Sequence, residues 1–246
     1  MVGAPGRRAV EERLRPLREE LGADFCIVNG ENVADGAGIT PKLADKLLAA
    51  GADVLTLGNH VWRRAEIADY LRSSERVVRP ANLAPNVPGR GLVVVDGVAV
   101  INLLGSLYIN PHRSPFDLVD ELVEEARAQT KVVIVDLHAE ATSEKVAMPI
   151  YLDGRVSAVV GTHTHIQTND ARLLPKGTAA ISDVGMTGPH DSVIGVKADI
   201  AIRRMRTGMP ERFEVATGDV RIEGVTIDVN PETGRATAIE LVRVRV

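Results

Sequence analysis

Four short apolar runs in this chain each stop on a cluster of Asn, Glu or His. FCIVNG runs into Glu31-Asn32, VLTLG into Asn59-His60, VVIVDL into His138, and AVVG into Thr162-His163-Thr164-His165. A fifth run, AAIS, stops at Asp183 without a histidine. Short apolar runs with polar ends suit buried strands, and in open α/β sheets the carboxyl ends of such strands share one edge where sites form. Four of the six histidines fall at these ends. The chain must therefore fold so that the ends converge, or bury several polar groups without partners.

The segments between the runs support layering of strands and helices. Residues 7–21 keep Val10, Leu14, Leu17 and Leu21 at helical spacing, with Pro16 expected to kink the helix. Gly3-Ala4-Pro5-Gly6 reads as a turn in front of it. TPKLADKLLAAG at 40–51 has a Thr cap, an initial Pro and a Gly stop. A short helix is expected at 63–72, a hairpin at 92–105 turning at Asp96-Gly97, and an acidic helix at 114–129. KVVIVDLHAE, SAVVGTHTH and TAAISDVG read as further strands. The tail from Phe213 to Val246 alternates apolar and polar residues and predicts an antiparallel meander turning at 231–234. The fold class is α/β, with no repeat or linker, so residues 1–246 read as a single domain.

Composition excludes several classes. A net charge of −4 argues against a nucleic-acid surface that works by bulk charge. Cys26 is the only cysteine, so an internal disulfide and a thiolate zinc site are both excluded, as expected of a cytoplasmic protein. No apolar run approaches the roughly 20 residues of a membrane span. Aromatic residues make up only 3%, which argues against base-stacking platforms.

A histidine alone at a strand end reads as a satisfied core residue. Four converging with Glu31 and Asn59 read as a site. Neutral imidazoles and carboxylates suit Zn, Fe, Mn and related ions. A carboxylate such as Glu31 can bridge two ions, and two ions about 3.5–4 Å apart clamp the attacking and leaving oxygens of phosphoryl transfer. With no cysteine among these residues, the cluster fits a catalytic centre rather than a structural one. His112 and His190 fall in loops and are expected at the surface or rim. Asp136 and Asp153 are expected to be structural, and Arg79-Pro80-Ala81-Asn82 to be simple loop packing.

The ordered set GEN, GNH, HAEATSEK and GTHTH, with DVGMTG at 183–188, resembles the calcineurin-like metallophosphoesterases, and within them the bacterial YmdB-like branch, over essentially the whole chain. The resemblance implies a four-layer α/β/β/α sandwich with two metal ions, iron first and Mn or Zn next. It implies Glu31 as the bridging carboxylate and Asn32 as a further ligand. Asn59, His138 and His163 would serve one ion and His165 the other. His60 would protonate the leaving oxygen after a metal-bridging hydroxide attacks phosphorus. The implied substrates are phosphodiesters such as 2′,3′-cyclic nucleotides, with RNA as a substrate only. A homo-oligomer without membrane attachment is also implied.

One departure accompanies the resemblance. Family members open with an apolar strand ending in a metal-binding Asp, immediately before a segment like Val2–Arg7. Two readings compete: Met1 is an internal position of the family pattern with the start lying upstream, or the protein lacks that first strand and one metal position is short of a carboxylate. The departure keeps a second function open: a catalytically impaired regulatory or nucleotide-binding protein. A metal-dependent amidohydrolase is a third, since His-x-His occurs there too, but it leaves GNH without a role.

Overall fold

A computed structural model describes residues 1–246. Helix α1 (Gly3–Leu21), strand β1 (Ile27–Asn29), helix α2 (Pro41–Ala49) and strand β2 (Val54–Thr56) come first. A 3₁₀ turn at Val61–Arg63 leads to helix α3 (Ile67–Ser73) and strand β3 (Val77–Val78). The hairpin β4 (Leu92–Val95) and β5 (Val98–Leu104) precedes helix α4 (Pro115–Arg127) and strand β6 (Val132–His138). Helix α5 (Thr142–Tyr151) is followed by strands β7 (Ala158–Thr162), β8 (Arg172–Leu173), β9 (Ala179–Ile181) and β10 (Gly188–Pro189). Helix α6 (Ala198–Thr207) and the long hairpin β11 (Val220–Asn230) and β12 (Arg235–Arg245) complete the chain.

Local chemistry accounts for the boundaries. The Thr40 hydroxyl accepts from the Leu43 amide and Pro41 opens α2; Ser114 and Pro115 do the same for α4. Asp96 and Gly97 have φ of 47° and 80°, the left-handed pair that a two-residue hairpin needs. Two expectations are corrected. Gly3-Ala4-Pro5-Gly6 is not a turn but the first turn of α1, where proline is tolerated because the first helical N–H groups have no partners anyway. KVVIVDLHAE is a strand only as far as His138: β6 ends there, Glu140 lies in the connection, and α5 starts at Thr142.

Strands β4-β5-β6-β7-β9-β8 form one sheet in that order, with β5, β6, β7 and β9 parallel and both edges antiparallel. Parallel β1-β2-β3 and antiparallel β10-β11-β12 form the second layer. Side chains alternate across each strand. Ile101, Leu103, Val135 and Leu137 meet Val119 and Val123 of α4 and Met148 and Leu152 of α5. On the opposite face Val93 and Val100 meet Val54 and Val78, while Ile134, Ala158 and Ala179 meet Ala236 and Ile239. Helices α1, α2 and α3 cover the outside of the second layer through Val10, Leu14, Leu47, Ile67 and Leu71, and Leu17 packs on Ile222. The result is the expected α/β/β/α order.

The second layer is interrupted. β1 pairs only with β2, and beyond its other edge Val2 makes a single parallel bridge to Asn32. A cavity of about 570 Å³ has Ile27 and Val28 of β1 and Val225 and Ile227 of β11 among its walls. No helix is long and apolar enough to cross a membrane.

Candidate metal centre

The parallel strands bring their carboxyl ends to one edge of both layers. Glu31 and Asn32 follow β1, Asn59 and His60 follow β2, His138 ends β6, and His163 and His165 follow β7. All seven predicted residues gather there, in two linked groups.

His138 is the hub of the first group and is 1% exposed. Its Nδ1 lies 2.9 Å from the Thr162 hydroxyl, which donates to buried Asp136 at 2.6 Å. That chain places the Nδ1 proton on the Thr162 side. Around Nε2 lie Glu31 Oε2 at 2.9 Å, Asn59 Oδ1 at 3.0 Å and His163 Nδ1 at 3.0 Å. With His138 neutral, these lone-pair-bearing atoms converge on one point and need a positive charge between them. Without an ion, a second proton on His138 supplies it. Burial opposes that charge, yet the facing Glu31 carboxylate raises the His138 pKa above its ordinary value. Burial likewise works against the Glu31 carboxylate, but the His138 charge and hydrogen bond and the His60 amide bring its pKa down to about 2.

The donor set fits a divalent ion in chemistry and spacing. Metal–nitrogen bonds of about 2.1 Å at right angles put adjacent donors about 3.0 Å apart. No three His, Cys, Asp or Glu side chains form a complete cage by themselves; the Asn59 amide oxygen, 3.0 Å from His138 Nε2, is a further donor. Asp136 holds the outer ring nitrogen through Thr162, as outer partners of metal-binding histidines do.

The second group contains Asn32, His60 and His165. The Asn32 side chain meets His60 Nδ1 at 2.9 Å through Oδ1 and His165 Nε2 at 3.2 Å through Nδ2. His165 Nδ1 faces the Ile194 carbonyl at 3.0 Å, so that nitrogen carries the proton and Nε2 keeps its lone pair. Burial, then the Met1 amino group, lower the His165 pKa to about 4. Glu31 joins the groups: Oε1 accepts the His60 amide at 2.6 Å while Oε2 faces His138. A carboxylate shared in this way suits a bridging role. His60 is half-buried, and burial lowers its pKa more than Glu31 raises it. The proton-donating role expected of His60 requires a protonated ring at working pH, and burial works against it.

Sequence reasoning missed four supports. Gly58 before Asn59 is one, because a Cβ there would lie 2.6 Å from the Glu31 carboxyl carbon and against the His138 ring. Glu140 is another, its carboxylate 3.0 Å from His163 Nε2. Asp183 is the third: it accepts from the Thr164 amide at 3.0 Å and hydroxyl at 2.8 Å. Lys145, the fourth, pairs with Asp183 at 2.6 Å, and both side chains are buried. His163 and His165 flank Thr164 with φ of 103° and 65°, a backbone state that non-glycine residues rarely hold. All four lie inside the GNH, HAEATSEK and DVGMTG motifs, but only Asp183 stood out by its own chemistry, as a polar strand end.

The remaining expectations divide. His112 is exposed, and Asp153 caps the Lys176–Thr178 turn as a structural residue. His190 is not a rim residue: its side chain is 15% exposed and its Nε2 sits 3.2 Å from buried Glu223.

The layers and the strand-edge cluster define a two-sheet α/β class shared with solved proteins. A phosphatase structure from Mycoplasma pneumoniae superposes with a TM-score of 0.92 at 35% identity, covering 99% of this chain and 90% of that one. A hypothetical protein from Thermus thermophilus superposes at 0.91 with 41% identity, covering 99% and 96%. The chain belongs to the YmdB-like protein family, whose model matches residues 1–242. It is 47% identical to the 2′,3′-cyclic-nucleotide 2′-phosphodiesterase of Bacillus subtilis over 98% of this chain and 92% of that protein. It is 35% identical to a putative phosphatase/phosphodiesterase of Mycoplasma pneumoniae over 99% and 90%.

Proposed function

We propose that this chain is a metal-dependent hydrolase of phosphodiesters, with 2′,3′-cyclic nucleotides as the substrate class. The observation that carries the reading is the convergence of Glu31, Asn59 and His163 on Nε2 of His138. The relationship to the Bacillus subtilis enzyme supports the substrate class.

Glu31, Asn59, His138 and His163 would hold one ion, and His165 with Asn32 and the shared Glu31 the other. Iron is the first candidate, with Mn and Zn as alternatives. When bound, two such ions neutralise charge on the phosphoryl oxygens and supply an activated water. The protein's own part is positioning and proton transfer. Thr162 and Asp136 hold His138 in one tautomer. Asn32 engages Nδ1 of His60, which turns Nε2 towards the proton-donating role. Phosphodiester cleavage leaves an alkoxide that needs a proton, and a positioned imidazolium supplies it. An approaching phosphodiester anion raises the His60 pKa by direct attraction, offsetting the burial that lowers it in the free site.

The substrate is a small phosphodiester or an RNA end, and the chain acts as a homo-oligomer that gel filtration would size. The experiment is turnover of 2′,3′-cyclic AMP by protein loaded with Fe or Mn. His60→Ala is expected to lower kcat on the order of 10²–10⁴-fold while metal content holds. Intact substrate after loading, or a His60→Ala variant as fast as the parent, contradicts the reading.

A further inference from the structure

Beside the candidate metal centre lies an open cavity of about 440 Å³, lined by Asn59, Tyr108, Ile109, Glu140 and His163. Its outer wall is the loop that follows β5. The loop leaves β5 beside the centre, where the Gly105 amide donates to the His138 carbonyl at 3.0 Å. Its two feet are pinned by one buried side chain. The Asn82 amide donates to the Leu104 carbonyl at 2.7 Å and the Arg113 carbonyl at 3.0 Å, and its oxygen accepts from the Leu104 amide at 2.8 Å. Buried Glu144 then takes the Ser106 amide at 2.6 Å and the Leu107 amide at 3.1 Å. A loop held in this way is a built support.

What it supports is an exposed ring. Tyr108 is 88% exposed and Leu107 49%. Tyr108 has φ of 67°, a conformation that costs a residue of its size and is imposed by the anchored segments on either side. An apolar tip held in water beside a phosphodiester site calls for a ligand with an apolar face. The chain has only one Trp, three Tyr and three Phe, so an extended stacking platform is excluded, but one base needs one ring. We propose that Tyr108 is a nucleobase-stacking residue and that the 105–113 loop forms the base subsite of the metal centre. This assignment rests on the phosphodiesterase reading above. Stacking on a π face is tolerant of base identity, so purine and pyrimidine substrates are both accepted, with purines bound more tightly. The Arg79-Pro80-Ala81-Asn82 segment then has a role that loop packing alone does not describe, because Asn82 sets the position of the subsite.

The test compares parent, Tyr108→Phe and Tyr108→Ala on 2′,3′-cyclic AMP and on glycerol 1,2-cyclic phosphate, a five-membered cyclic diester without a base. Removing a stacked ring from a single base costs about tenfold or more in binding. Tyr108→Ala is expected to lower the ratio of kcat/KM for the nucleotide over the glycerol diester by about tenfold, mainly through KM for the nucleotide, and Tyr108→Phe to retain it. A ratio within twofold of the parent in Tyr108→Ala overturns the subsite. Titration with adenosine 3′-monophosphate separates this from failure of the catalytic reading. If the parent hydrolyses neither diester, weaker nucleotide binding by Tyr108→Ala still supports the subsite, and equal binding overturns it.

Discussion

Gly58 shows how one residue conditions the centre. It stands where β2 has just ended, and its missing side chain leaves room for the His138 ring and the Glu31 carboxyl. Gly58→Ala forces both to move, and overpacking of this kind costs about 1–3 kcal/mol. The expected result is a lower denaturation midpoint together with loss of bound metal, read by chemical unfolding and elemental analysis. Cys26 is a second residue-scale case. Burial raises its thiol pKa to about 11, with Arg18 pulling it down and Asp53 pushing it up to smaller extents. The thiolate therefore forms only as pH rises towards that value, and a disulfide reagent at pH 8 is expected to modify native Cys26 much more slowly than the unfolded chain. Equal rates would contradict the raised pKa of this half-buried thiol. The polar residues themselves were legible in the sequence because each ends an apolar run. Their supports were not: Gly58 reads only as the end of an apolar run, and Lys145 and Asp183 lie 38 positions apart.

At the scale of elements, the His-x-His turn after β7 is held from two directions. Asp183, just past β9, takes both polar groups of Thr164, and Lys145 of α5 neutralises Asp183 in the interior. Removing one member of a buried pair leaves the other charge uncompensated, at a cost of about 3–5 kcal/mol. Asp183→Ala is expected to lose that much stability by denaturant titration and to release the left-handed backbone at His163 and His165, with weaker metal binding. Retained stability would show that the pair contributes little. α5 itself was hidden in the sequence. Pro149 lies inside it, and its buried Glu144 and Lys145 break the apolar stripe that signals a helix. α6 was hidden because its buried face is only Ile200 and Ala201, while Ile202 and Met205 face solvent and blur the stripe. The hairpin at Asp96-Gly97 and the capped helices α2 and α4 were legible because their signals are local.

For the whole molecule, α/β layering followed from the alternation of strands and helices, the four-layer order from the family resemblance, and the converging strand ends from parallel pairing. The placement of β1-β2-β3 against the six-stranded sheet was not legible, because it depends on contacts such as Val54 with Val100 and Ile134 with Ala236. That stacking brings Glu31 and Asn59 from one layer onto His138 and His163 from the other, so the centre exists only when the layers are packed. Ligands that bind the folded state alone stabilise it by mass action. Loaded protein is therefore expected to melt at a higher temperature than chelated protein, and His138→Ala to lose most of that difference in a thermal scan. The central claim, that this packed edge is a metal-dependent phosphodiesterase centre, is tested most directly by measuring 2′,3′-cyclic AMP hydrolysis alongside bound metal before chelation, after it, and after Fe or Mn is restored. Turnover that falls and returns with metal content is the predicted result; hydrolysis that survives complete metal removal, or fails to appear with metal bound, would contradict it.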